Sequence, residues 1–189
     1  LKVLYDAAHA FGVHRNGHSI LHHGEMSVLS FHATKVFNTF EGGAVIARDR
    51  ETKLAIDRLA NFGFADALRV NAIGTNAKMN EFSAAIGLAQ LPGIEKAIAD
   101  RASVAKRYME RLGKVRGLRC PSPWGVLGHN HYAFPVLVGA NFQLNRDELQ
   151  MRLENENIFA RKYFYPLVSD MEPYKKLPCA DPACLPVAH

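Results

Sequence analysis

Two side chains in the first 35 residues have the types and positions that a carbonyl-reacting site needs. Lys35 follows a predicted strand and the Ser-Phe-His-Ala-Thr stretch 30–34, and a lysine amine attacks aldehydes and then moves protons. Asp6 closes the short apolar run 3–5, at the kind of strand end where open α/β sheets bind ligands. A carboxylate there keeps a proton on a basic ring nitrogen. The alternatives are a helix-capping role for Asp6 and a solvated position for Lys35, one of 23 Lys and Arg residues.

The elements that must position these residues alternate between short strands and helices. Polar residues and glycines over 13–24 predict a surface loop, and residues 64–76 read as irregular chain. The turn at 7–10 ends at Gly12. Apolar periodicity and capping residues predict strands at 3–5, 26–31, 44–47, 132–138 and 158–161, and helices at 49–61, 80–91, 92–112 and 146–155.

Three segments together resemble a known family. They are Tyr-Asp-Ala-Ala-His-Ala at 5–10, Ser-Phe-His-Ala-Thr-Lys at 30–35 followed by Glu-Gly-Gly-Ala at 41–44, and Gly-Thr-Asn-Ala-Lys-Met-Asn-Glu at 74–81. In this order and spacing they resemble the DegT/DnrJ/EryC1/StrS sugar aminotransferases, which depend on pyridoxal 5'-phosphate (PLP) and have the type I fold of aspartate aminotransferase. The resemblance covers nearly the whole chain.

The resemblance implies an α/β fold. Residues 1–91 would be the C-terminal part of the PLP-binding large domain, with a mixed, mostly parallel sheet covered by helices. Residues 92–116 would be a linking helix, and 117–189 a small, incomplete α+β C-terminal domain. Family chains are about twice this length, so the resemblance also implies that an N-terminal half and a last helix lie outside these 189 residues.

The resemblance assigns roles to five residues. Lys35 matches the lysine that forms the Schiff base with PLP, and Asp6 matches the aspartate that pairs with the pyridine nitrogen. His9 stands near the cofactor's ring oxygen, Ser30 binds the phosphate, and Asn76 reaches the phosphate bound by a neighbouring subunit. An active site shared in this way requires a homodimer. The sequence departs from the family at Thr75, where an aromatic residue is common.

Other patterns in the chain are weaker. Lys162, Tyr163 and Phe164 resemble a family segment that approaches the substrate, and ordinary amphipathic residues at a strand edge are the alternative. Five histidines between His9 and His23 include i, i+4 pairs, but glycines interrupt any helix that would align them, so we predict no metal site.

Composition excludes several classes of protein. A net charge of +5 comes without Lys/Arg runs, which argues against nucleic acid as a partner. The sequence has no run of 18 or more apolar residues, so we predict no membrane-spanning helix. Three cysteines without framework spacing favour a reducing cytoplasm.

The function predicted from these features is a PLP-dependent transfer of an amino group, from glutamate, to a nucleotide-linked keto sugar. A relative that removes oxygen from sugars has His where this chain has Lys35, so Lys35 argues for transamination. The first alternative is a catalytically inactive truncated homologue that acts as a dimerisation or binding module. The second is another PLP enzyme of the same fold, such as a desulfurase or an aldolase.

Overall fold

A computed structural model describes residues 1–120 and 128–188. Within them the strands are β1 (Leu4–Asp6), β2 (His14–Arg15), β3 (His18–Ser19), β4 (Met26–Ser30), β5 (Gly43–Ala47), β6 (Leu118–Arg119) and β7 (Leu137–Val138). The α-helices are α1 (Arg50–Ala60), α2 (Glu81–Gln90), α3 (Ile94–Leu112) and α4 (Arg146–Asn155). The predicted elements at 3–5, 26–31, 44–47, 49–61, 80–91, 92–112 and 146–155 are therefore confirmed, with ends that differ by one or two residues.

The main sheet has three strands in the order β1-β4-β5. β1 runs parallel to β4 and β5 runs antiparallel to it, so the sheet is mixed, with one pairing of each kind rather than mostly parallel pairings. Side chains alternate along β4: Ser27 and Leu29 are 1% and 5% exposed, whereas Val28 between them is 38% exposed. One face of this sheet is therefore packed against the core and the other is open.

Side-chain caps explain where two helices begin. Asp49 Oδ1 accepts a hydrogen bond of 2.7 Å from Thr52 N at the start of α1, and Asn80 Oδ1 accepts one of 2.8 Å from Ser83 N at the start of α2. Each cap satisfies a backbone N–H that has no partner inside the helix.

Helix α2 lies close to the loop that follows β4. Gly87 is buried on α2, and a Cβ atom at this position would lie 2.9 Å from Thr39 Cγ2 and 3.5 Å from the Phe37 ring. Phe37 and Thr39 are 4% and 1% exposed. The absence of a side chain at Gly87 thus lets the helix pack directly against this loop.

The predicted surface loop over 13–24 is wrong, because the segment contains a β-hairpin. β2 and β3 pair antiparallel, with His14 opposite Ser19 and Arg15 opposite His18. The two connecting residues, Asn16 and Gly17, have φ of 51° and 80°, which is the geometry of a tight hairpin turn. The Asn-Gly pair was the sequence signal for this hairpin.

Two predicted strands in the later part of the chain are also wrong. Of residues 132–138 only β7, Leu137–Val138, is a strand, and Pro135 has no N–H to contribute to a ladder. Residues 158–161 are not a strand: Asn157 has φ of 59° and Ile158 N donates to Leu153 O at 2.8 Å. These residues close the end of α4 instead of entering a sheet.

Contacts divide the chain into two compact units. The first consists of Leu1–Val115 and Arg119–Val136, and the second of Arg116–Leu118 and Leu137–His189. The second unit contains α4, β7 and short 3-10 turns. The domain limits 1–91, 92–116 and 117–189 remain predictions, and residues 121–127 and 189 of the last range lie outside the described residues.

No helix in the described ranges combines the length and the apolar character that crossing a bilayer requires.

The first prediction concerns Gly87. Replacement by Ala should destabilise the protein by about 1–3 kcal/mol, because the new methyl group meets a well-packed core. This outcome is opposite in sign to the effect of helix propensity alone, which favours Ala over Gly by about 1 kcal/mol. The measurement is the shift in thermal denaturation of the full-length protein. Gly93→Ala is the matched control, because a Cβ there has nothing within 4 Å. Equal melting temperatures for the two variants would contradict this account of packing.

Candidate active site

Asp6 is placed by the parallel pairing of β1 with β4. Asp6 is opposite Val28, and Ala7 N, the next backbone donor, bonds to Val28 O at 2.8 Å. By strand alternation Asp6 shares its face with Val28 and Ser30, the open face of the sheet. Asp6 and Ser30 are the last residues of two parallel strands, and ligands bind at this edge of α/β sheets.

The Asp6 carboxylate also makes the local bond that a capping residue would make. Its Oδ1 accepts a hydrogen bond of 3.0 Å from Ala8 N, and the chain turns here without forming a helix. Asp6 is exposed, and within the described residues it forms no salt bridge and its Oδ2 accepts no hydrogen bond. One carboxylate oxygen is therefore available to a further partner.

Lys35 lies in the loop between β4 and β5. The loop is closed at its base by Phe31 N, which donates to Gly42 O at 2.8 Å, and Lys35 N donates to His32 O at 2.9 Å. The buried side chain of Phe37 anchors it. Lys35 is thus held on an ordered loop at the carboxyl end of β4, near the edge where Asp6 lies.

Three phenylalanines underlie this loop. The rings of Phe11 and Phe37 are stacked with centroids 4.4 Å apart, and the rings of Phe31 and Phe37 meet edge to face at 4.9 Å. Offset-stacked and edge-to-face pairs are the favourable arrangements for aromatic side chains. The cluster joins the chain that follows β1 to the loop that carries Lys35.

His9 and Lys35 meet at a residue that the sequence did not single out, Tyr132. The rings of His9 and Tyr132 are stacked, with centroids 3.9 Å apart and planes 17° apart. The Lys35 Nζ atom lies 5.4 Å from the centroid of the same Tyr132 ring. The sequence predicts that Tyr132 begins a strand. The polar neighbours Asn130 and His131 are the local signal that this segment could belong to a site.

The charges around His9 alter its protonation. Burial lowers the pKa of His9 below its ordinary value of 6.5, and the nearby Lys35 ammonium lowers it further, while the Asp6 carboxylate acts in the opposite direction. His9 therefore favours its neutral form, which offers one ring N–H donor and one acceptor. Lys35 and Asp6 therefore both lie close enough to His9 for their charges to act on it.

Ser30 and Asn76 occupy different surroundings. Ser30 is half-buried, and its Oγ accepts a hydrogen bond of 3.3 Å from His32 N, which leaves its hydroxyl hydrogen for another acceptor. Asn76 is exposed and pairs with Asn61 in an isolated bridge. Within the described residues no interaction joins Asn76 to the Lys35 loop.

The residues predicted to approach the substrate lie in the second unit. Lys162 Nζ is 3.2 Å from Asp147 Oδ1 and 5.4 Å from the centre of the Tyr165 ring. The rings of Tyr163 and Phe164 are stacked at 3.9 Å, and both side chains are more than half exposed. No group of three or more His, Cys, Asp or Glu side chains in the described ranges is arranged to hold a metal ion.

Known proteins resemble this chain in sequence and in fold. The sequence profile of the DegT/DnrJ/EryC1/StrS aminotransferase family matches residues 1–189. The chain is 49% identical over 174 residues to a dTDP-4-amino-4,6-dideoxy-D-glucose transaminase of Shigella dysenteriae, which covers 92% of this chain and 47% of the relative. A transaminase of the same name from Escherichia coli is 42% identical over 193 residues, covering 100% and 51% of the two chains.

A solved structure, that of DesI, has a similar fold. The structure of DesI in the presence of its TDP-sugar product has a TM-score of 0.86 and 36% identity, and covers 94% of this chain and 46% of that chain. The protein belongs to the DegT/DnrJ/EryC1/StrS aminotransferase family. Enzymes of this family depend on PLP. The chain spans about half the length of the curated relatives it matches.

The residues at the β1–β4 edge fit PLP. The cofactor requires an amine for its aldehyde, a carboxylate for its ring nitrogen and donors for its oxygens. Lys35 would provide the amine, and within the part of the chain that is described it forms no salt bridge. Among residues 1–120 and 128–188, one oxygen of Asp6 has no partner, Ser30 has a hydroxyl hydrogen, and His9 has an N–H to donate.

The second prediction concerns the stability of the folded protein in acid. Burial lowers the pKa of His9, His129 and His131 below 6.5, so the folded protein takes up protons less readily than the unfolded chain. As the pH falls from 6.5 towards the lowered pKa values, the unfolded state binds more protons than the folded state. The free energy of unfolding therefore decreases over that pH range.

The melting temperature should therefore drop between about pH 7.5 and about pH 5.5, a range in which histidine is the main side chain to titrate. His129→Gln should reduce this drop, because the substituted side chain takes up no proton. A melting temperature that rises or stays constant over this range would contradict the assignment.

Proposed function

We propose that the full-length protein transfers an amino group from glutamate to a nucleotide-linked keto sugar, with PLP attached to Lys35. The observation that supports this most strongly is the placement of Lys35, His9 and Asp6 around one edge of the sheet. A second support is membership in an aminotransferase family over the whole chain.

When bound, PLP supplies the electron sink that makes the hydrogen on the amine-bearing carbon acidic. Asp6 would hold the proton on the ring nitrogen through its second oxygen. The Lys35 amine would take the proton from one carbon and return it to another, as general base and then general acid. His9 would donate its ring N–H to the cofactor's ring oxygen, and Ser30 would donate its hydroxyl to the phosphate.

The relatives suggest the first substrate to test. Two of them are named dTDP-4-amino-4,6-dideoxy-D-glucose transaminase. We propose a dTDP-linked 6-deoxy sugar with a ketone at carbon 4, which would receive the amino group while glutamate becomes 2-oxoglutarate. Lys162, Tyr163 and Phe164 would contribute a cation and exposed aromatic faces for the sugar nucleotide. We place the reaction in the cytoplasm, because Cys120, Cys179 and Cys184 are all free thiols.

The third prediction tests the attachment of PLP. Borohydride reduction of the full-length protein after PLP addition should leave a pyridoxyl group on Lys35, mapped by mass spectrometry of the peptides. Lys35→Ala should abolish the label, whereas Lys53→Ala, a change at an exposed lysine on α1, should not. A folded protein in which Lys35 stays unlabelled would contradict the proposed enzyme and favour the binding module.

The fourth prediction tests a site shared between two subunits. If Asn76 reaches the phosphate bound by the partner subunit, Lys35→Ala and Asn76→Ala subunits, each inactive alone, should complement each other. In a hybrid dimer one site carries both changes and the other carries neither. Unfolding and refolding an equal mixture should therefore restore about a quarter of the wild-type activity, as random pairing into twofold dimers gives. No recovery in a dimeric mixture would place both residues in the same subunit's site.

A further inference from the structure

Asn130 holds two distant parts of the chain together beside the site. It is 2% exposed, and its Nδ2 atom donates to His9 O at 2.7 Å and to Phe11 O at 2.9 Å. Its Oδ1 atom accepts a hydrogen bond of 3.1 Å from Tyr132 N. A buried amide with both ends bonded is a strong positional constraint, because loss of either bond leaves a polar group without a partner away from water.

These bonds bring the Tyr132 ring to the site. The ring lies flat against the His9 imidazole at 3.9 Å, and the Lys35 Nζ atom is 5.4 Å from its centroid. A flat aromatic neighbour removes water from one face of the imidazole and restricts its rotation. The negative face of a tyrosine ring also attracts an ammonium group within about 6 Å.

We propose that Tyr132 is a positioning residue of this site, which fixes the plane of the His9 imidazole and holds the Lys35 amine beside it. The inference rests on the proposed function of Lys35 and His9. Tyr132 acts through these two residues, and Asn130 holds it in place. Its hydroxyl group is not required, since both contacts are made by the ring.

The consequence for His9 is measurable without a cofactor. The charged groups that act on His9 are Lys35 and Asp6, and burial is the largest cause of its lowered pKa. Removal of the Tyr132 ring would expose one face of the imidazole to water. The pKa of His9 should then rise towards 6.5 in Tyr132→Ala and stay lowered in Tyr132→Phe.

The experiment is an NMR titration of histidine-labelled full-length protein in its PLP-free form. The His9 ring protons should carry an upfield shift from the stacked ring in the wild type and in Tyr132→Phe, and lose it in Tyr132→Ala. Tyr108→Ala is the matched control, because it removes a tyrosine that stacks on Phe134 at 5.1 Å and leaves His9 untouched. It should change neither the shift nor the pKa of His9.

The second readout is the kinetics of the PLP-loaded protein. Tyr132→Ala should lower kcat by about tenfold or more, because small displacements of reacting groups are costly, whereas Tyr132→Phe should retain most of the rate. If circular dichroism shows that Tyr132→Ala is misfolded, Tyr132→Leu replaces it. A branched side chain fills similar space but cannot stack flat, so the same loss of kcat is expected.

The outcomes separate this inference from the proposed function. If PLP is on Lys35 but Tyr132→Ala, or Tyr132→Leu in its place, keeps either the His9 ring shift or the wild-type kcat, the positioning role is overturned and the aminotransferase stands. A Tyr132→Phe variant as impaired as Tyr132→Ala would also overturn it, because the hydroxyl would then be the working group. If Lys35 carries no PLP in the wild type, the proposed function itself fails.

Discussion

The parallel pairing of β1 with β4 is the constraint on which the site depends. Its register places Asp6 opposite Val28 on the open face, while Ser27 and Leu29 fill the packed face. A slip of β1 by one residue would place Asp6 opposite Ser27 or Leu29 and turn its carboxylate into the core, which is unfavourable for a charged group. Because Ser30 ends β4 and the Lys35 loop follows at once, the same register also sets the position of the amine.

A second constraint joins this edge to a segment more than a hundred residues later. Asn130 bonds to the carbonyls of His9 and Phe11, and the stacked Tyr132 ring covers His9. Bringing such distant segments together has an entropic cost, which buried hydrogen bonds and aromatic contacts offset. Together they produce a neutral imidazole next to an ammonium group, because the burial that lowers the pKa of His9 and the proximity of Lys35 act in the same direction.

The same proximity has a chemical use in an aminotransferase. A neutral imidazole donates one N–H along a fixed direction, and a stacked ring keeps that direction constant while the neighbouring amine moves protons. The residues proposed to carry the chemistry thus lie on a strand end and a short closed loop, and the aromatic groups around them restrict their freedom. Side chains supported in this way are positioned more precisely than side chains on open loops.

The sequence by itself determined the elements with strong local signals and the residues with distinctive chemistry. Helix α1 followed from apolar spacing and from Asp49 at its start, helix α2 followed from a segment dense in alanine, and Asp6 and Lys35 stood out by type and position. The hairpin within 13–24 carries an Asn-Gly signal, but its two-residue strands are too short to show the alternation of side chains that predicts a strand. Only the tertiary structure decided that Tyr132 lies on His9 and beside Lys35. No local pattern records a contact between residues 123 positions apart, and it exists because the buried amide of Asn130 holds the two segments together.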